Sequence, residues 1–158
     1  MKIEEIKEFG VYSYYEDNGQ AEFVEVQKVY KEERMVKVSL YKSGVLNMKI
    51  VSTTDILPVS ITEPILKALT FEEIFGQLYG LPNEHYYRLQ MDNGIIEIIK
   101  DEGVMKYVQP SMDRENWYGC RFVPMPYLHK LQDILGRIDL KDFSKKLFKD
   151  NNYATPTT

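Results

Sequence analysis

His129 lies in the run PYLHKLQDILGRI (residues 126–138), with Gln132 and Asp133 one turn further on. On a helix, Asp133 stands at i+4 from His129, where a carboxylate orients an imidazole and raises its basicity. That is the arrangement of a general base. A base, however, needs a nucleophile or an acidic proton within reach, and no serine or cysteine elbow accompanies this one. The same run carries an apolar stripe at Tyr127, Leu131, Ile134 and Ile138, flanked by Leu128 and Leu135, with His129 beside it. The expected role is therefore structural: His129, with Tyr127 and Gln132, ties the helix to a neighbouring strand or backbone carbonyl.

The remaining chemistry-bearing residues are few. Cys120 is the single cysteine, so Cys120 with His129 is the one thiol–imidazole pair on offer. Alternation along 117–123 puts Cys120 on a face with Tyr118 and Phe122, the surroundings of a buried, inert thiol. His85 and His129 are far apart and belong to no H-x-x-x-H pattern, so no metal site is expected. Asp92, Asn93, Gly94 and Glu97 lack the alternating oxygen ligands of a calcium loop. Asp-Asn-Gly between two strands makes a hairpin turn instead. No glycine pattern for phosphate is present, and no cofactor is expected.

One surface has binding chemistry. Parity on an extended strand places Tyr86 and Arg88 together, and Trp117 and Arg121 together on another strand. If register unites them, the four form an aromatic–arginine platform that would stack unpaired bases or anchor a protein partner. If helices cover both sheet faces, Trp117 is a core residue.

The totals bound these readings. The chain has 158 residues, 44% hydrophobic and 28% charged, which fits one ordinary domain or two very small ones. A net charge of −4 with lysines interspersed among acids argues against a broad footprint for duplex nucleic acid. One cysteine excludes an intrachain disulfide, and the N-terminal MKIEEIKEFG has no apolar run behind it. A cytoplasmic protein without a membrane span is expected. Twelve tyrosines suit pleated, half-buried surfaces.

The elements that must position these residues follow from periodicity. Runs at 10–16, 21–31, 35–41 and 45–51 read as strands, the last two joined by Ser-Gly with Val36, Val38, Leu40 and then Leu46, Met48, Ile50 in strict alternation. Four or five such strands within 1–60 predict a small antiparallel barrel of the SH3-like type, which leaves no open edge. A helix then starts at Thr62 as N-cap, with Glu63 at its positive end and Pro64 in its first turn. The segment 71–83 reads ambiguously. Strands at 85–91, 95–100, 104–109 and 117–123 form a meander, followed by helices at 126–138 and 139–150 and a disordered tail at 151–158. The expected class is α+β: a barrel over 1–60, then a helix–meander–helix unit over 61–150.

Two stretches carry a resemblance. ILPVSITEPILKALTF is similar to the pattern I-x-P-I-x-L-T-E-E-x-L-L-K-x-G-F, and YLHKLQDIL before a glycine resembles Y-V-H-Q-L-Q-N-L-Y. Both occur, in this order, in small uncharacterised proteins of phages, prophages and mobile elements of gut anaerobic bacteria. The matching positions are Ile56, Pro58, Thr62, Glu63, Leu66 and Phe71, then Tyr127, His129, Leu131 and Gln132. Thr70 stands where that pattern has glycine, which puts a left-handed helix end in doubt. The resemblance implies a phage-type origin and no chemistry. The function expected is a non-enzymatic, phage-derived protein-interaction module; the alternative is a single-stranded nucleic-acid-binding accessory protein using the aromatic–arginine face.

Overall fold

The structure, a computed structural model, describes residues 2–16, 21–42, 45–76, 85–92, 94–110 and 120–149. In chain order the elements are β1 (Val11–Tyr15), β2 (Ala21–Tyr30), β3 (Met35–Lys42), β4 (Val45–Ser52) and β5 (Ile56–Pro58). Helix α1 (Glu63–Ala68) follows, then β6 (Glu72–Phe75), β7 (His85–Met91), β8 (Gly94–Asp101), β9 (Val104–Pro110) and β10 (Cys120–Pro124). Helices α2 (Leu128–Leu135) and α3 (Leu140–Lys149) end the described chain. The predicted tail at 151–158 lies outside the described residues. The chain divides into two compact units, 1–60 with 127–158, and 61–126.

In the first unit the strands form one antiparallel sheet in the order β4-β3-β2-β1-β5. Alternation sends Tyr12, Val24, Val26, Val36, Val38, Leu40, Val51 and Ile56 to an inner face, where they make a single apolar cluster. The β3–β4 hairpin runs in unbroken register from Met35↔Ser52 to Lys42↔Val45. β2 changes register between Val26 and Lys28. Gln27 is the extra residue of this bulge, and it keeps Val29, three positions after Val26, packed against the inner cluster.

The predicted barrel is not formed. Closure requires the terminal strands to pair, and here β4 and β5 stand at opposite ends of the order. β5 is three residues long and ends in Pro58, which has no N–H to donate to a further ladder. Among the described residues β4 is left as an edge.

Helices α2 and α3 return to this first unit, so the predicted helix–meander–helix unit over 61–150 does not exist either. Tyr127 bridges Ser60, and the Leu128 N–H donates to Val59 O at 2.9 Å. Gly136 terminates α2 at φ 80°, ψ −160°, a backbone conformation open to glycine. Asp139 Oδ1 then accepts the Asp142 N–H, the bond of an N-cap. Leu140, Phe143 and Leu147 face inward in the predicted register, and Phe143 meets Phe23 edge-on at 5.7 Å.

In the second unit the meander forms a sheet ordered β10-β9-β8-β7-β6. The ambiguous segment supplies β6, paired with β7. Thr62 takes the N-cap position of α1, with its carbonyl accepting the Leu66 N–H and no side-chain cap bond. At the other end, the Phe71 N–H bonds Leu66 O and the Thr70 N–H bonds Lys67 O. This is the double-bonded left-handed helix end, with buried Phe71 as its apolar contact. Thr70 adopts φ 67° to make it. The left-handed end therefore survives the loss of glycine, at the cost of a β-branched residue in a strained conformation.

Candidate functional site

The α2 residues come first, because the sequence singles them out. The buried face of α2 is Leu128, His129, Leu131 and Gln132, with Ile134 and Leu135 half-buried and Tyr127 exposed. The stripe predicted through Tyr127 is thus rotated toward His129. Asp133 does not reach back to His129; it pairs with Lys7. His129 is 3% exposed, stacked on Tyr12 at 5.1 Å and on Tyr127 at 5.7 Å. Its Nδ1 is buried without a hydrogen-bond partner. Burial first, then the positive charges of Lys130 and Lys7, push its pKa down to about 4. A ring held neutral between two tyrosines serves packing.

Gln132 performs the tie expected of His129. Its Oε1 accepts the Val11 N–H at 2.8 Å, and its Nε2 donates to Phe9 O at 3.0 Å. Both backbone groups lie where the chain enters β1, so the amide fixes α2 to that strand. Tyr12 is held from the same side: its Oη accepts the Lys7 N–H at 2.9 Å and donates to Glu5 O at 3.3 Å. Burial raises the pKa of this phenol.

The proposed platform is not assembled. Tyr86 pairs across β8 and β9 with Ile99 and Lys106, and on to Pro124 of β10, so it shares a face with Phe122. Arg121, adjacent to Phe122, therefore projects from the opposite face to Tyr86 and Arg88. Tyr86 is itself buried, in a cluster with Ile99 and Val108. Arg88 sits 5.8 Å over the Tyr86 ring and pairs with Glu97 at 2.7 Å. Burial nevertheless raises the Glu97 pKa. Trp117 and the side chain of Cys120 lie outside the described residues.

A second polar group occupies the second unit. His85 Nε2 meets Glu73 Oε1, and the Tyr87 hydroxyl lies 3.3 Å from the same nitrogen. Glu73 also pairs with Lys67, whose hydrogen bond holds its carboxyl below the usual range. Lys100 does the same for Glu63. Burial, reinforced by the charges of Glu63 and Glu73, raises the Tyr87 pKa and keeps its proton in place. The chain of alternating charge pins β6 and the last turn of α1 to β7. Among the described residues no group of three or more His, Cys, Asp and Glu is placed to hold a metal ion. None of their helices is long and apolar enough to cross a membrane.

The open surface lies on the outer face of the first sheet. Helix α3 packs over β2 and β3. Beside it an open cleft of about 720 Å³ has Glu25, Gln27 and Ser39 in its lining, with Leu46 and Met48 of β4 on one side and Arg137 on the other. Glu25 is 4% exposed. Arg137 grips it with two hydrogen bonds, at 2.8 and 2.6 Å, and this raises the guanidinium pKa. The guanidinium also lies 4.7 Å over the Phe9 ring. Gln27 Nε2 donates to Glu25 Oε1 and to Ser39 Oγ, at 2.5 and 2.8 Å. Glu25, Gln27, Ser39 and Arg137 are thus paired with one another, while Tyr41, Asp139 and Lys141 complete the polar lining.

The apolar lining continues along β4. Val45, Leu46, Met48 and Ile50 are 60%, 58%, 54% and 60% exposed. Lys49 stands between them, but its amine is drawn to Glu16 at 3.1 Å and lies 5.5 Å over the Tyr14 ring. Four large apolar exposures within six residues of an edge strand amount to a binding surface or a liability. Alternation places Leu46, Met48 and Ile50 on one face, but a closed barrel gives no reason to single them out. The signal for Gln27 was present in Val24, Val26 and Val29, whose spacing breaks period two. Arg137 carried no signal beyond its place after Gly136.

Compared with known proteins, the chain matches no family model, no curated protein and no solved structure.

Proposed function

We propose that this chain is a non-enzymatic protein-interaction module whose contact surface is the outer face and open edge of β4. The observation that carries the reading is the run Val45, Leu46, Met48 and Ile50, every one more than half exposed along an edge strand. An edge strand recruits a partner strand through its main chain, and alternate side chains supply selectivity. The burial of His129 between Tyr12 and Tyr127, and the pairing of Glu25 with Arg137, support binding over catalysis.

A phage or mobile-element origin belongs to this proposal, supported by the resemblance at Thr62, Glu63 and Phe71 and at Tyr127, His129 and Gln132. A cytoplasmic setting belongs to it too, supported by the use of a single cysteine.

The test is the size at which a tagged chain elutes from the lysate of producing cells. The parent is expected in a complex larger than the free chain. The double variant Met48→Lys/Ile50→Lys, shown by circular dichroism and thermal melting to be folded, is expected to elute as free chain. Identical elution of the two removes β4 as the contact surface.

A further inference from the structure

Resting on the reading of β4 as a contact surface, we infer that its occupant is the β4 strand of a second copy of this chain, paired antiparallel about a twofold axis at Met48.

The four sheet edges differ in how they are guarded. β5 has three residues and ends in Pro58. β6 has four residues and begins with Glu72 and Glu73. β10 has five, with an exposed Arg121 and a terminal Pro124. Short length, charge and proline are the devices that prevent edge-to-edge association. β4 has eight residues, no proline, no bulge and a single lysine whose amine is engaged by Glu16.

The sequence of β4 also selects a copy of itself. A twofold axis normal to the sheet pairs residues of like parity, so the axis falls on one residue. Centred on Lys49, two ammonium groups would stand directly opposite, which is unfavourable. Centred on Met48, Leu46 faces the copy's Ile50, Met48 faces Met48, Asn47 faces Lys49 and Val45 faces Val51. No like charges meet, and six large apolar side chains close into one stripe on the outer face. This register also uses the strand from 45 to 51, almost its full length. The contact is roughly 23 Å long at 3.3–3.4 Å per residue. A contact of one strand pair is narrow beside a standard interface of about 800 Å² per partner, so a weak dimer is expected.

Sedimentation of the purified full-length chain over a concentration series tests this. The mass is expected to rise from 18.6 kDa toward twice that value. Met48→Lys and Met48→Glu each place like charges across the axis, and each is expected to raise the dissociation constant at least 10-fold. An equimolar mixture of the two folded variants is expected to restore a dimer that contains one of each. A chain that stays monomeric up to ~1 mM overturns the inference, as does a dimer unaffected by either charge. If the purified chain is monomeric while the lysate complex is still lost in Met48→Lys/Ile50→Lys, β4 binds a different protein. If neither complex depends on β4, both readings fail.

Discussion

Arg137 meets Glu25 fork-on, with Nε and one terminal nitrogen each bonded to a separate carboxylate oxygen, across 112 residues of sequence. The arginine side chain is 59% exposed and the glutamate 5%. The pair therefore lies between a solvated ion pair and a buried one, and it holds the link between α2 and α3 against β2. Arg137→Ala leaves a buried carboxylate with only Gln27 to answer it. A loss of about 1–2 kcal/mol is expected, more than an exposed pair is worth and less than a fully buried one. Urea unfolding of Arg137→Ala, Glu25→Gln and the double variant gives the check. The double variant should be more stable than the sum of the single losses implies.

Gln132 is expected to matter more for folding than its polar character suggests. Gln132→Leu removes the acceptor of the buried Val11 N–H and the donor to Phe9 O. An orphaned buried backbone group costs about 1–3 kcal/mol. Gln132→Glu keeps the acceptor, and its carboxyl supplies a donor only when protonated, so its urea midpoint should fall less than that of Gln132→Leu at low pH and lose that advantage as the carboxyl ionises at higher pH.

His129 gives the first unit a pH signature. Its pKa is 6.5 in the unfolded chain and about 4 in the folded one. Above 6.5 both states carry a neutral ring and stability is complete. Between 6.5 and about 4 the unfolded chain binds a proton that the native ring refuses, so stability falls as pH falls. Below about 4 both are protonated and this dependence ends. The total effect is about 3 kcal/mol. His129→Phe preserves stacking with Tyr12 and Tyr127 and should flatten the slope of unfolding free energy over that window. His129→Ala should lower stability at every pH.

Two backbone positions predict opposite signs. Thr70 holds φ 67° at the end of α1, so Thr70→Gly relieves strain and should raise the melting temperature, by about 0.5–1 kcal/mol in stability. Gly136 holds φ 80°, ψ −160° with no atom within 4 Å of an added Cβ. The cost of Gly136→Ala is therefore conformational, about 1–3 kcal/mol, and not a clash.

Much of this fold is legible in local pattern. Alternation at Val36, Val38 and Leu40, and again at Leu46, Met48 and Ile50, marks the two strands of the β3–β4 hairpin, and Leu140, Phe143 and Leu147 define the inner face of α3. What local pattern does not carry is which edges meet. Barrel closure depends on whether β4 and β5 pair, and a three-residue β5 ending in Pro58 cannot provide the ladder. The return of α2 and α3 to the first unit rests on contacts such as Gln132 to Val11, which no periodicity announces. The candidate site was hidden by register: Leu46, Met48 and Ile50 stand opposite Tyr41, Ser39 and Lys37, on the face away from Val36, Val38 and Leu40, and alternation within each strand does not show which face meets which. On the second sheet, parity within a strand placed Tyr86 with Arg88, but only the register across four strands shows Arg121 on the other face.

Where this chain touches other protein can be mapped edge by edge. Photo-crosslinking residues placed one at a time at Met48 on β4, Leu57 on β5, Phe75 on β6 and Val123 on β10 sample all four edges at exposed positions. In producing cells, irradiation is expected to yield a discrete protein adduct from position 48 and none from the other three. Adducts from 57, 75 or 123 with position 48 silent would contradict it.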